Sequence, residues 1–387
     1  MKQRLAAVVL GAGLALVAPA GVARADVIRD NEWHLRYLSV PEANRVTRGE
    51  GVTVAVIDRG VDRSHADLGG AVLDPVFVNG PAAQDEPVDP DGHGTALAGV
   101  IAGQGHGTDR ADGVVGIAPG AKVLPVVLST PAGEEPTADE IAAGIEAAVV
   151  QRTAVIVIGY SVARSDRLQQ AVRDAQAADA IIVAADGDQP GRAFEPYPAA
   201  YDGVLAAVPL TRSGDVRVPS SSGRKLGLGV PGFQIMTTNS GNRYRVDDGS
   251  ASPAVLGAAV ALVRSAFPGA KADEVVRRLT ITAVDAGPAG PDPDNGLGRL
   301  ELVQALTRKL PAPSPSPSRA TAVNPGVSPS ATPLAAPAAP RSRGPYGWLL
   351  GLPLLAVLAG VGVYAGLAER RVRLSGRNEV DSVGVQS

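Results

Sequence analysis

The chain has 387 residues, with 36 Lys and Arg against 39 Asp and Glu, a formal net charge of −3 and 45% hydrophobic residues. That apolar content supports a buried core and excludes a wholly disordered chain, and the balanced charge lacks the dense basic face of a nucleic-acid binder. The absence of cysteine excludes disulfides, thiolate metal sites and cysteine nucleophiles, and with only four histidines no metal or other cofactor is expected.

In chain order, Lys2 and Arg4 precede an apolar run from Leu5 to Val17, followed by the small-residue pattern at Ala23 and Ala25. This reads as a secretory signal over residues 1–25, cleaved after Ala25. A globular domain is expected over residues 26–310. Within it, continuous apolar runs at 51–57, 123–128, 154–158 and 180–185 suit strands covered on both faces. Helical patterns at 139–150 and 167–178 alternate with them, which predicts a three-layer α/β domain with a mainly parallel sheet. Residues 311–346 are rich in Pro, Ala and Ser and read as an extended linker. Gly347 to Leu367 contains no charged residue and matches the roughly 20 residues that a bilayer-spanning helix needs. Arg370, Arg371, Arg373 and Arg377 follow it, so the positive-inside bias puts the tail, 368–387, in the cytoplasm and the domain outside it.

Three segments concentrate chemistry: the run from Val54 to Gly60 with Asp58 at a strand end, the run from Asp91 to Gly103 with His93, and the run from Asp248 to Pro253 with Ser250. In parallel α/β sheets functional groups collect at the carboxyl ends of strands, where Asp58 falls. Asp, His and Ser in this order suit a catalytic triad. A serine hydroxyl attacks only when a base removes its proton, imidazole has a suitable pKa, and a carboxylate fixes the imidazole's tautomer.

These segments resemble the subtilisin-like serine proteases, and more closely the mycosins linked to type VII secretion in actinobacteria. The likeness rests on Ala55 to Asp58, His65 to Leu68, Gly92 to Thr95, Gly116 to Gly120, Tyr197 to Tyr201, Val230 to Gly232 and Val276 to Ala283, in family order. Arg29 to Leu35 resembles the mycosin N-terminal extension, and the signal, proline-rich linker and terminal span match the mycosin plan. The resemblance implies a subtilisin-like fold, peptide or protein substrates, a membrane-anchored domain facing outward and a type VII secretion membrane complex as partner.

Four positions depart from the family pattern. Arg59 follows Asp58 where the family has Thr or Ser; it could keep the carboxylate ionised, compete with His93 for it, or point to solvent. Asp188, within Asp186–Gly187–Asp188, stands where the family has the asparagine that donates to the oxyanion. An ionised carboxylate accepts hydrogen bonds only, and losing one such donor costs about 2.7–4 kcal/mol, whereas a protonated Asp188 could still donate and a surface turn would leave it no catalytic role. The nucleophile segment admits two registers: anchoring on Pro253 puts Gly249 at the nucleophile position, while a gapless anchor on Leu262 to Pro268 puts Ser250 there. The second is favoured, because an inserted residue would rotate the following helix by about 100°. Finally, Gly159 and its neighbours replace the family's substrate-binding stretch, where backbone pairing with an extended peptide is still expected. The expected function is a serine endopeptidase with impaired activity, and the alternative is a pseudoprotease that serves a secretion complex.

Overall fold

The computed structural model describes residues 27–78, 89–131, 133–186, 195–216, 227–291 and 296–311. Asp188, the signal segment and almost all of the linker, together with the proposed span and tail, lie outside these. Among the described residues no helix is long and apolar enough to cross a membrane.

Three short helices open the domain: α1 (Val27–Asp30), α2 (Trp33–Tyr37) and α3 (Val40–Ala43). They are followed by β1 (Thr53–Asp58), β2 (Val76–Phe77), α4 (His93–Ala102), β3 (Gln104–His106), β4 (Asp112–Val115), β5 (Lys122–Val127) and α5 (Ala138–Val150). Next come β6 (Val155–Ile158), α6 (Asp166–Ala177), β7 (Ile181–Ala185), β8 (Leu205–Leu210) and β9 (Gly227–Pro231). A hairpin of β10 (Phe233–Asn239) and β11 (Arg243–Asp248) leads into α7 (Ser252–Ala266), α8 (Ala272–Ile281) and α9 (Leu302–Thr307).

The central sheet has the order β2-β5-β1-β6-β7-β8-β9, and every strand pairing in it is parallel. Alternate residues of each strand point to opposite faces. Val54, Val56, Val155, Val157, Ile181 and Val183 pack with α4 and α7 on one face. Ala55, Ile57, Ile156, Ile158, Ile182 and Ala184 pack with α5 and α6 on the other. Both faces are therefore apolar, which accounts for the unbroken hydrophobic runs in the sequence. β1 lies between β5 and β6, where strand order reverses, so a crevice opens at its carboxyl end, at Asp58.

The β10–β11 hairpin rides on α4. Thr237 and Thr238 are buried and donate their hydroxyls to the carbonyls of Ala96 (2.8 Å) and Thr95 (2.6 Å). The N-terminal helices dock by polar contacts as well as packing. Arg29 Nε donates to the Gly113 carbonyl at 2.9 Å, the buried Glu32 carboxylate accepts from the Val115 amide at 3.1 Å, and Trp33 Nε1 donates to the Gln234 carbonyl at 3.0 Å.

Candidate active site

The carboxyl end of β1 and the first residue of α4 meet here. His93 Nδ1 donates to Asp58 Oδ2 at 2.7 Å, and Asp58 is 1% exposed. The other oxygen, Oδ1, accepts from the Arg59 amide at 2.8 Å and from the Tyr160 hydroxyl at 2.9 Å. Three donors thus fix the carboxylate, and its bond to Nδ1 fixes the ring.

Burial alone would lower the His93 pKa. The Asp58 charge and hydrogen bond, helped by Asp247 and Asp91, outweigh burial and raise the pKa to about 9. The carboxylates therefore favour the protonated ring, whereas only the neutral ring can serve as a general base.

Arg59 neither competes with His93 nor faces solvent. Its side chain is 9% exposed and turns to Asp91, with Nη2 at 2.6 Å from Asp91 Oδ2, and also donates to the Tyr160 hydroxyl at 3.3 Å and the Glu134 carbonyl at 3.2 Å. Its backbone amide serves Asp58 while its guanidinium neutralises a second acid.

That second acid belongs to a cluster at the N-terminus of α4. Asp91 Oδ1 accepts from the His93 amide at 3.0 Å, and Asp89 Oδ2 accepts from the Thr95 amide at 2.7 Å and from the Thr95 hydroxyl. Both bonds satisfy amides that lack intrahelical partners. Oxygens of Asp58, Asp89 and Asp91 lie within 4.8 Å of one another, close enough to chelate a cation. The donors already on Asp58 and the guanidinium on Asp91 take those oxygens, so the cluster fits a metal poorly. Burial, and then the Asp58 charge, push the Asp89 carboxyl up to about 7, so a proton relieves the crowding instead.

Ser250 is not joined to His93 by a hydrogen bond among the described residues. Its hydroxyl donates to Asp247 Oδ2 at 2.6 Å, while Asp247 Oδ1 accepts from the Ala251 amide at 2.8 Å. Asp247 is 1% exposed. Ser250 stands before the Ala251 N-cap of α7, and Pro253 lies in the helix's first turn. Gly249 makes the turn into this helix with a φ of 120°, a conformation that favours glycine. Gly159 faces the imidazole ring directly: a Cβ there would lie 2.5 Å from His93 Cε1. Beyond it, Glu135, Thr137, Ser161 and Arg164 line part of a cleft of about 420 Å³.

The other three histidines lie outside this chemistry. His65 Nδ1 accepts from the Asp67 amide and Nε2 donates to the Arg243 carbonyl, so it is a structural tie. His106 pairs with Asp67 at 2.6 Å, and burial lowers the enclosed His34 to about 3. Sequence reasoning missed the roles of Tyr160, Asp89 and Asp247. The signals available were an acid two residues before Asp91 and an Asp pair just ahead of Gly249.

Residues 49–298 match the model of the subtilase family of peptidases. The thermostable alkaline protease of Halalkalibacterium halodurans is 33% identical over 262 residues, covering 66% of this chain and 68% of that protein. Subtilisin DY of Bacillus licheniformis is 34% identical over 251 residues, covering 62% and 86% respectively. Among solved structures, MycP1 with its N-terminal propeptide removed superposes with a TM-score of 0.60 at 27% identity, covering 72% of this chain and 98% of that one. Fervidolysin from Fervidobacterium pennivorans, a keratinolytic enzyme related to subtilisin, gives 0.62 at 28% identity, covering 74% and 47%.

Proposed function

Since the chain belongs to the subtilase family, we propose that it is a mycosin-like serine endopeptidase, anchored in the membrane with its catalytic domain outside the cytoplasm. The observation that carries this reading is the 2.7 Å bond between His93 Nδ1 and the buried Asp58 carboxylate. In the proposed reaction, His93 Nε2 removes the Ser250 proton as the hydroxyl oxygen attacks a peptide carbonyl, and Asp58 holds the tautomer and stabilises the imidazolium formed. The substrate backbone lies along Gly159 to Ser161 as an added strand. Two features would impair activity: the surrounding carboxylates favour the protonated ring, and in the sequence Asp188 replaces the family's oxyanion asparagine.

A second reading is a pseudoprotease that keeps the fold as a component of a type VII secretion membrane complex. It is favoured by the commitment of the Ser250 hydroxyl to Asp247. A fluorophosphonate probe separates the two. The endopeptidase reading expects slow labelling that Ser250→Ala abolishes and that speeds up towards pH 10, as the imidazole becomes neutral. Folded protein that stays unlabelled across that range would discard it in favour of the pseudoprotease.

A further inference from the structure

We propose that Asp247 is a positioning residue that holds the nucleophile off the catalytic base: its carboxylate accepts the hydrogen bond that a working triad would direct from Ser250 to His93. This inference rests on the endopeptidase reading.

The local geometry explains why this one acid turns inward. β10 and β11 are paired with a shift between Phe233 and Ile235, so that Asp248 opposes Phe233 while Asp247 opposes Ile235. Gln234 occupies the resulting bulge with a φ of 54°. Bulges re-aim side chains at the end of a strand pair. Here Asp248 stays exposed and receives the Gln234 amide at 3.1 Å, while Asp247 points into the protein and is the only fully enclosed residue of β11.

Once inside, Asp247 is held by donors on both oxygens. The Ala251 amide, which is free of intrahelical bonding at the start of α7, occupies Oδ1 at 2.8 Å. Among the described residues, the only donor on Oδ2 within 3 Å is the Ser250 hydroxyl, at 2.6 Å. Arg245 Nη2 stands farther off, at 3.9 Å. A hydroxyl has a single proton. While it points to Asp247 it cannot also point to an imidazole.

The same carboxylate acts on the base. Among the described residues, the titratable groups around His93 are Asp58 from β1, Asp89 and Asp91 from the turn before α4, Tyr160 after β6 and Asp247 from β11, with the Arg59 guanidinium bound to Asp91. Asp247 therefore opposes catalysis twice, by holding the serine proton and by favouring the protonated ring.

Asp247→Asn tests this with little change of shape. The asparagine keeps one acceptor oxygen for the Ala251 amide and turns its amide group, a donor, towards Ser250. The hydroxyl proton is thereby released. Two readouts are taken on variants whose thermal melts confirm folding, with Asp247→Ala as the second variant in case the first does not fold. The first readout is the His93 ring titration by NMR, assigned with His93→Gln. The second is fluorophosphonate labelling at pH 7.5.

The expected result is a His93 pKa lowered from about 9, together with labelling about tenfold faster than in the parent and abolished by adding Ser250→Ala. An unchanged titration would overturn the proposal. So would a parent that labels as fast as the variant, although the endopeptidase reading would survive that outcome. A lowered His93 pKa with no labelling in any variant would support the placement of Asp247 and remove the endopeptidase reading instead.

Discussion

At His93 burial disfavours the charged ring, while the carboxylates of Asp58, Asp247 and Asp91 favour it; the carboxylates prevail and the pKa rises from 6.5 to about 9. The consequence for stability has a definite sign. The folded state holds this proton more tightly than the unfolded chain, so the contribution is complete below pH 6.5 and is lost as pH climbs through 9. At 1.36 kcal/mol per pKa unit it amounts to roughly 3 kcal/mol. The raised carboxyl of Asp89, at about 7, acts in the same direction over a lower range, from pH 3.8 to 7. His93→Gln isolates the first effect. Urea unfolding of the parent and the variant should show a gap that is constant below pH 6.5 and narrows by roughly 3 kcal/mol by pH 10. A gap that widens with pH would mean that the ring is held neutral and that the carboxylates around it do not dominate.

Among the elements, the buried parallel strands were the most legible in the sequence. Runs expected at 51–57, 123–128, 154–158 and 180–185 correspond to β1, β5, β6 and β7 to within two residues at each end. The reason is physical: with both faces buried, the inner residues of such a strand are apolar whichever face they point to, and polar residues such as Thr53, Asp58 and Lys122 fall at its ends. The β10–β11 hairpin gave no such signal, because it buries threonines against α4 carbonyls and exposes much of β11. Asp58 was legible because it ends a strand that patterning locates, and His93 because it lies in the Gly92 to Thr95 motif, although the helix it begins was not predicted. Asp247 was not, because its inward turn depends on a bulge in the opposite strand, which composition does not reveal. The helix that follows gives a test of the packing that fixes Ser250. Gly257 of α7 lies against β6, and a Cβ at that position would come within 2.3 Å of Val157 Cγ2. Gly257→Ala gains up to about 1 kcal/mol of helix propensity but overpacks a buried contact at a cost of about 1–3 kcal/mol. A net loss of about 1–2 kcal/mol in denaturant unfolding is expected. A stabilised variant would show that α7 can move away from the sheet, and with it the turn that carries Ser250.

For the whole molecule, the N-terminal helices and the active-site face are one packed unit. Arg29 and Glu32 join α1 and its flank to β4, and Trp33 reaches β10, the strand paired with the one that bears Asp247. The proposed membrane attachment must come from outside this unit, since none of its described helices could span a bilayer. The segment 347–367 fits that role on length: as a helix rising 1.5 Å per residue it would reach roughly 30 Å, the thickness of the hydrocarbon core. Four arginines between 370 and 377 then favour a cytoplasmic tail, each resisting transfer through the bilayer. Deleting residues 347–387 should move the protein from the membrane pellet to the soluble fraction while leaving its thermal transition unchanged, because the compact unit ends at Pro313, well before the deletion. In the full chain, added protease should digest the domain on the outer side of intact cells and spare an epitope placed at the C-terminus. A deleted form that still sediments with membranes, or a C-terminal epitope that is cleaved from outside, would overturn the proposed topology and return the question of attachment to the N-terminal apolar run.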